Sequence, residues 1–255
     1  MRRDGRCDGT GGLSARTVRY THTIIRRALA DAVRKGLVAR NVADLADPPS
    51  LSEAKAPTMR TWTADERSAL LEHVSGDRLC AAWQLLATTG ARRGEALGAR
   101  WRDLDLDRGR WSIVETITAA GMSRPKGGAP AASPLMLAPS RRCERTARPK
   151  RRRGSCSGPY SDHGLAFCRE DGEPLQPRSF SRMFDRHVAT AELPRIRLHD
   201  LRHTWASLAL GVGVHPKIVS ERLGHASIAI TLDVCSHVSA GMQQDAADTV
   251  APLLR

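Results

Sequence analysis

Residues 197–203 read Arg197-Leu198-His199-Asp200-Leu201-Arg202-His203, two histidines and two arginines within seven positions. They follow Pro194 and run into an apolar stretch carrying Trp205, Leu208 and Leu210. Cationic groups at the mouth of an apolar helix work against stability, but they suit a grip on phosphate. On a helix, His199 shares a face with Arg202, three residues on, and with His203, four residues on. Two functional readings compete. In one, His199 and Arg202 face a phosphodiester, the guanidinium offering a planar fork and the imidazole moving a proton near neutrality. In the other, His199-Asp200-x-x-His203 imitates a His-Glu-x-x-His zinc motif. The plain alternative is a helix start with solvated charges.

Composition narrows the field. The 255 residues carry 40 Lys and Arg against 27 Asp and Glu, a formal charge of +13. That balance favours a polyanionic partner, nucleic acid before a membrane surface. No apolar run reaches the length of a membrane span, and the basic start (Arg2, Arg3, Arg6) has no apolar stretch behind it. Six cysteines form no C-x-x-C pair, which reads as reduced thiols in a cytoplasmic protein.

Outward from the opening stretch, Ser14 caps a predicted helix of about 22 residues by the periodic-segment rule, and Asn41 caps a short second one before Asp47-Pro48-Pro49. Residues 1–49 thus make a partial helical domain and 50–61 a linker. Thr63-Ala64-Asp65-Glu66 is a capping box that opens the second domain, 62–255. A helix with Leu79, Trp83 and Leu86 inward ends at Gly90, and Arg92 follows within Thr89-Gly90-Ala91-Arg92-Arg93-Gly94-Glu95. A strand with alternating Trp111 and Ile113 reaches Ile117. From Gly121 a hairpin turn carries Lys126. Residues 138–164 then contain no Leu, Ile, Val, Met, Phe or Trp, and eight of the thirteen residues 141–153 are Lys or Arg. Nothing there buries a face, so 129–158 reads as disordered or degraded, with a basic arm on DNA as its functional reading. Later helices start near Ser179, at Pro216 and at Ser227. Leu223-Gly224-His225 closes the second of these, and an amphipathic helix spans 241–254.

Taken together these pieces resemble the tyrosine recombinase (phage integrase) family over roughly residues 63–255. The elements are Thr89-Gly90-Ala91-Arg92 with Glu95, Pro125-Lys126, His199-Asp200-Leu201-Arg202-His203, Leu223-Gly224-His225 and Thr231-Leu232-Asp233-Val234-Cys235-Ser236-His237. The resemblance implies a mainly α fold with a small antiparallel β-sheet (α+β): a recombinase catalytic domain behind a partial helical core-binding (SAM-like) domain. It implies double-stranded DNA as partner, cleaved and rejoined through a 3′-phosphoprotein intermediate, and a homo-oligomer on DNA formed through the C-terminal helix. Arg92 and Arg202 would hold the scissile phosphate's non-bridging oxygens, and Lys126 would protonate the departing 5′ oxygen. His199 would assist as base, and His225 would hydrogen-bond a phosphate oxygen. No metal and no cofactor is called for, because two guanidiniums do the electrostatic work. An arginine between the histidines also disfavours zinc.

Three departures accompany the resemblance. Cys235 stands where the family has its nucleophilic tyrosine, and the only tyrosines are Tyr20 and Tyr160. A thiolate lowered by flanking arginines is chemically available, but a short, soft nucleophile suits phosphorus poorly, so impaired catalysis is expected. A DNA-binding regulator that keeps the fold without cleaving is the alternative. Six prolines fall between 125 and 159, so the strand that should support Lys126 is expected to be missing, as if a different reading frame had been spliced in. Finally, residues 14–49 look like only the last part of the family's helical clamp, so the chain reads as N-terminally truncated.

Overall fold

The computed structural model describes residues 12–54, 59–124, 131–134 (as backbone), 160–225, 227, 228, 231 and 232. The chain divides into two units, Met1–Thr58 and Met59–Arg255. In the first, the Ser14 hydroxyl accepts from the Thr17 amide and opens α1, Ala15–Arg34. The Asn41 side chain accepts from the Ala43 amide, but the turn it starts is a 3-10 helix, Val42–Leu45, rather than the expected α-helix. The segment is too short before Asp47-Pro48-Pro49 to sustain a run of i to i−4 bonds. Arg19 donates to the Pro49 carbonyl (2.7 Å) and His22 Nε2 lies 2.9 Å from the Ala43 carbonyl, so side chains of α1 hold the turn in place. No residue of α1 is buried, although its apolar positions recur at helical spacing.

The second unit begins with the capping box as expected. Thr63 Oγ1 accepts from the Glu66 amide, Glu66 returns the bond to the Thr63 amide, and α2 runs Ala64–His73. α3, Cys80–Thr89, is the central helix: eight of its ten residues are buried. The Trp83 indole stacks on Phe180 at 4.1 Å between centroids, joining α3 to α5, Pro177–Thr190, which starts at its proline two residues before the expected Ser179. α4, Arg93–Leu97, buries Glu95, Ala96 and Leu97. α6, Asp200–Gly211, buries Leu201, Arg202, His203, Thr204 and Ala206. The Thr204 hydroxyl accepts from the Trp62 amide (3.1 Å), while the Trp62 indole donates to the Pro194 carbonyl (2.8 Å). The entry to α2 therefore clamps both the start and the body of the segment bearing residues 197–203. α7, Pro216–Leu223, packs on α6 through Val219 and Leu223 against Ala206 and Leu210.

Two small antiparallel sheets sit beside the helices. β1 (Leu104–Asp105), β2 (Arg110–Ile113) and β5 (Ala131–Pro134) form one, in the order β1-β2-β5, with Trp111 opposite Leu104 on one side and Ser133 on the other. β3 (Thr116–Thr118) and β4 (Gly121–Ser123) form a separate hairpin. β5 corrects one expectation, since four residues inside the interval 129–158 do make a strand. A ladder needs backbone N–H and C=O groups, not apolar side chains, and a proline is tolerated at an edge. β3 and β4 are joined by the turn between Thr118 and Gly121, and the turn expected to carry Lys126 lies outside the described residues. Lys126, Cys235, residues 135–159 and the helix expected at 241–254 lie outside the described residues. No helix among the described residues is long and apolar enough to cross a membrane.

Candidate active site

The site forms where two helices end. α3 stops at Gly90 (φ +68) and α7 at Gly224 (φ +59), both in the left-handed conformation that glycine takes without a Cβ penalty. A helix C-terminus leaves carbonyls without partners and carries partial negative charge. Here those carbonyls accept from guanidiniums. Arg202 Nη1 donates to the Gly90 carbonyl at 2.9 Å, and its Nη2 donates to the Leu223 carbonyl. Arg92 Nη2 donates to the next carbonyl, that of Gly224, at 3.0 Å. Two arginines 110 positions apart in sequence thus meet on consecutive carbonyls at the end of α7.

Each arginine has its own support. Arg92 is the N-cap of α4 and is held by Glu95, whose carboxylate accepts from the Arg92 amide (2.8 Å) and from its Nη1 (2.8 Å). The Glu95 side chain is only 6% exposed, against 41% for Arg92, so the pair has a buried acceptor and a guanidinium open to solvent. Just before it, Thr89 donates to the Leu85 carbonyl and accepts from the Ala91 amide, which fixes the turn from α3 into α4. Arg202 itself is buried. Burial, and then the repulsion of Arg92, push its pKa down to about 10 against the pull of Glu95, leaving it a cation at pH 7. Two guanidinium charges thus face one carboxylate.

The histidines gather at the same place. His199 is the N-cap of α6, not a residue within it, and is exposed. Its ring meets the edge of His203 at 5.2 Å, nearly perpendicular. Loss of hydration, then His203 and Arg202, bring the His199 pKa down to about 4. His225 follows Gly224, with Nδ1 2.9 Å from Thr231 Oγ1. Loss of hydration, followed by the fields of Arg202, Arg92, His203 and His199, also brings it down to about 4. Both rings are neutral at pH 7, and the charges that reach His225 come from the α4 N-cap and from the start of α6. Asp200, the acid of the zinc-like spacing, is occupied by Arg197.

Four of the six residues singled out from sequence, Arg92, His199, Arg202 and His225, therefore converge, while Lys126 and Cys235 fall outside the described residues. Sequence reading assigned no function to Glu95 or Thr231, nor to the carbonyls of Gly90, Leu223 and Gly224. The Arg92-x-x-Glu95 spacing is a capping-box interval and marks Glu95 as a partner. The carbonyls leave no mark in the sequence beyond the glycines beside them.

The model of the phage integrase family matches residues 60–240. A tyrosine recombinase XerC of Pelobacter propionicus is 30% identical over 237 residues, covering 91% of this chain and 72% of that protein. A XerC-like tyrosine recombinase of Caldanaerobacter subterraneus subsp. tengcongensis is 25% identical, covering 95% of this chain and 67% of that one. Among solved structures, the Tn1549 transposon integrase in complex with a circular intermediate DNA superposes with a TM-score of 0.73 at 20% identity, over 93% of this chain and 80% of that one. A lambda integrase dimer bound to a core site gives 0.63 at 19% identity, over 89% and 61%. These structural likenesses speak for the fold, and the family match together with the XerC relative speaks for descent: the chain belongs to the phage integrase family.

Proposed function

We propose that the chain binds double-stranded DNA and holds one backbone phosphodiester between Arg92 and Arg202, the central step of site-specific strand cleavage and rejoining. The observation that carries this reading is the surplus of positive charge at the end of α7, where two guanidiniums meet one carboxylate. A phosphodiester monoanion is the complementary charge. As a nucleophile attacks phosphorus in line, charge builds on the non-bridging oxygens, and donors held in place beforehand stabilise it without reorganising. The nucleophile–phosphorus bond forms as the phosphorus–O5′ bond breaks. Lys126 gives its proton to the departing oxygen, His199 takes the nucleophile's proton, and His225 donates to a phosphate oxygen. An arriving anion offsets the arginine fields that depress both histidines, which moves them toward the range useful for proton transfer. Residues 241–254, whose sequence pattern predicts an amphipathic helix, are proposed to join protomers on DNA.

The nucleophile sets the rate. Cys235 occupies the tyrosine's place in the motif. Tyr160 stands outside that motif, and partial loss of hydration with the neighbouring Cys168 thiol, 3.9 Å away, pushes its pKa up to about 12. The same feature favours a second reading, a chain that occupies DNA and turns over slowly or not at all. A nicked suicide duplex carrying a candidate attachment site, incubated with the chain and with its Cys235→Tyr variant and run on a denaturing gel, separates the two. An adduct from the variant alone makes Cys235 the single lesion in a working site. An adduct from the parent chain makes the thiol a competent nucleophile and ends the impaired reading. No adduct from either, with an intact gel shift, leaves DNA binding as the function.

A further inference from the structure

Asp200 is the first residue of α6 and is 5% exposed. A carboxylate that deep requires partners, and its hydrogen bonds among the described residues come from one residue. Its Oδ2 accepts from the Arg197 amide (2.8 Å) and from Arg197 Nε (3.1 Å). Its Oδ1 accepts from Nε (3.2 Å) and Nη2 (2.8 Å). The Asp200 amide in turn donates to the Arg197 carbonyl at 2.8 Å. Residues 197 and 200 are therefore tied main chain to main chain, main chain to side chain, and side chain to side chain. Ordinary helix capping does not account for this, since no side-chain cap bond starts α6. A favourable charge at a helix N-terminus does not account for it either, because that effect needs neither burial nor a two-pronged partner.

The closed turn holds two residues. Leu198 is buried and anchors the turn in the core. His199 is the other, with its backbone at φ −67 and ψ −24 and its ring against the edge of His203. Arg202 is held separately, by helix-end carbonyls. The tie between 197 and 200 is thus the device that sets His199 against a guanidinium fixed by other means. We infer that Asp200, gripped by the Arg197 fork, is a positioning residue for His199. The inference rests on the reading that His199 moves a proton at the bound phosphate. It assigns Asp200 no contact with substrate.

The test is an imidazole NMR titration of the full chain against its Arg197→Lys and Asp200→Asn variants. The charges bearing on His199 are those of His203, Arg202, Asp200 and Arg197. Lysine keeps the Arg197 charge and loses the fork, at a side chain 73% exposed where the fold tolerates change. If the tie positions the ring, the His199 midpoint climbs from about 4 toward its ordinary 6.5 in Arg197→Lys as the ring moves away from His203 and Arg202. It climbs in Asp200→Asn too, although removing a negative charge by itself lowers it. A midpoint that stays or falls in Arg197→Lys overturns the inference, whatever Asp200→Asn does to folding. His187 on α5 is the internal control, because Arg197, Asp200 and His199 do not figure among the charges that shift it, and it should titrate as in the parent. Failure of the cleavage reading registers elsewhere, as absence of adduct from Cys235→Tyr, and leaves the His199 titration unaffected.

Discussion

At the residue scale, the site is a set of groups held away from their ordinary protonation energies. His199 and His225 are both neutral at pH 7, and the Asp200 carboxyl is held low because Arg197's hydrogen bonds outweigh the upward push of burial. The signs combine in one direction. Both histidines have folded pKa values near 4, below the ordinary 6.5, so between those values the unfolded chain binds more protons than the folded one. The stability associated with these rings is fully present above pH 6.5 and is lost as pH falls toward 4. Asp200 adds a further loss at lower pH, as its depressed carboxyl protonates. The urea midpoint should therefore fall steadily from pH 7 to pH 4.5. A His199→Gln, His225→Gln double variant should flatten that slope, and an equal slope in parent and variant would show that the two rings titrate normally.

At the scale of elements, two helix ends do the assembling. Gly90 closes α3 at φ +68, and a Cβ there would sit 2.8 Å from Leu223 Cδ2 and 3.2 Å from the Trp205 ring. The same residue's carbonyl holds Arg202. Gly90→Ala thus carries the left-handed penalty of about 1–2 kcal/mol for an L-residue, and it also forces the Leu223 and Trp205 side chains to give way beside the Arg202 site. The expected outcome is a lower melting temperature together with weaker DNA binding. A Gly90→Ala chain that melts lower but binds DNA as the parent does would separate the cap from the placement of Arg202. The helix boundaries were legible beforehand where a cap is written in side chains: Ser14, Thr63 with Glu66, Pro216, and the glycines at 90 and 224. They were not legible where backbone pairing alone decides. β5 lies in a proline-rich, apolar-poor stretch, and its pairing with β2 draws on main-chain groups that every residue except proline possesses in full.

For the whole molecule, the controlling quantity is charge. A formal +13 spread over 255 residues gives long-range attraction to a polyanion, and in the proposed reading the arginines at the end of α7 convert it into a specific grip. Phosphate contacts release counterions, so affinity should fall steeply and log-linearly with salt, each neutralised phosphate contributing about −0.9 to the slope on duplex DNA. Arg92→Gln should weaken binding to all sequences alike and reduce that slope by about 1. Fluorescence anisotropy on a labelled duplex between 50 and 200 mM salt, a range chosen from the usual sensitivity of about 10³-fold or more for several contacts, measures both. An unchanged slope would mean that Arg92 touches no phosphate.

The motifs, their order and their charge were readable along the chain, because arginines, histidines and glycines carry their chemistry in the residue itself. So was the fold class, through the resemblance that those motifs carry to the phage integrase family. The arrangement of the site was not. The carbonyls of Gly90, Leu223 and Gly224, which hold the guanidiniums, are chemically the same as every other carbonyl in the backbone, and only packing of α3, α6 and α7 brings them to Arg92 and Arg202. The partnership of Asp200 with Arg197 is likewise a matter of burial: four residues of sequence place the two within reach, but the core around Leu198 and Leu201 removes water and makes the fork the carboxylate's partner.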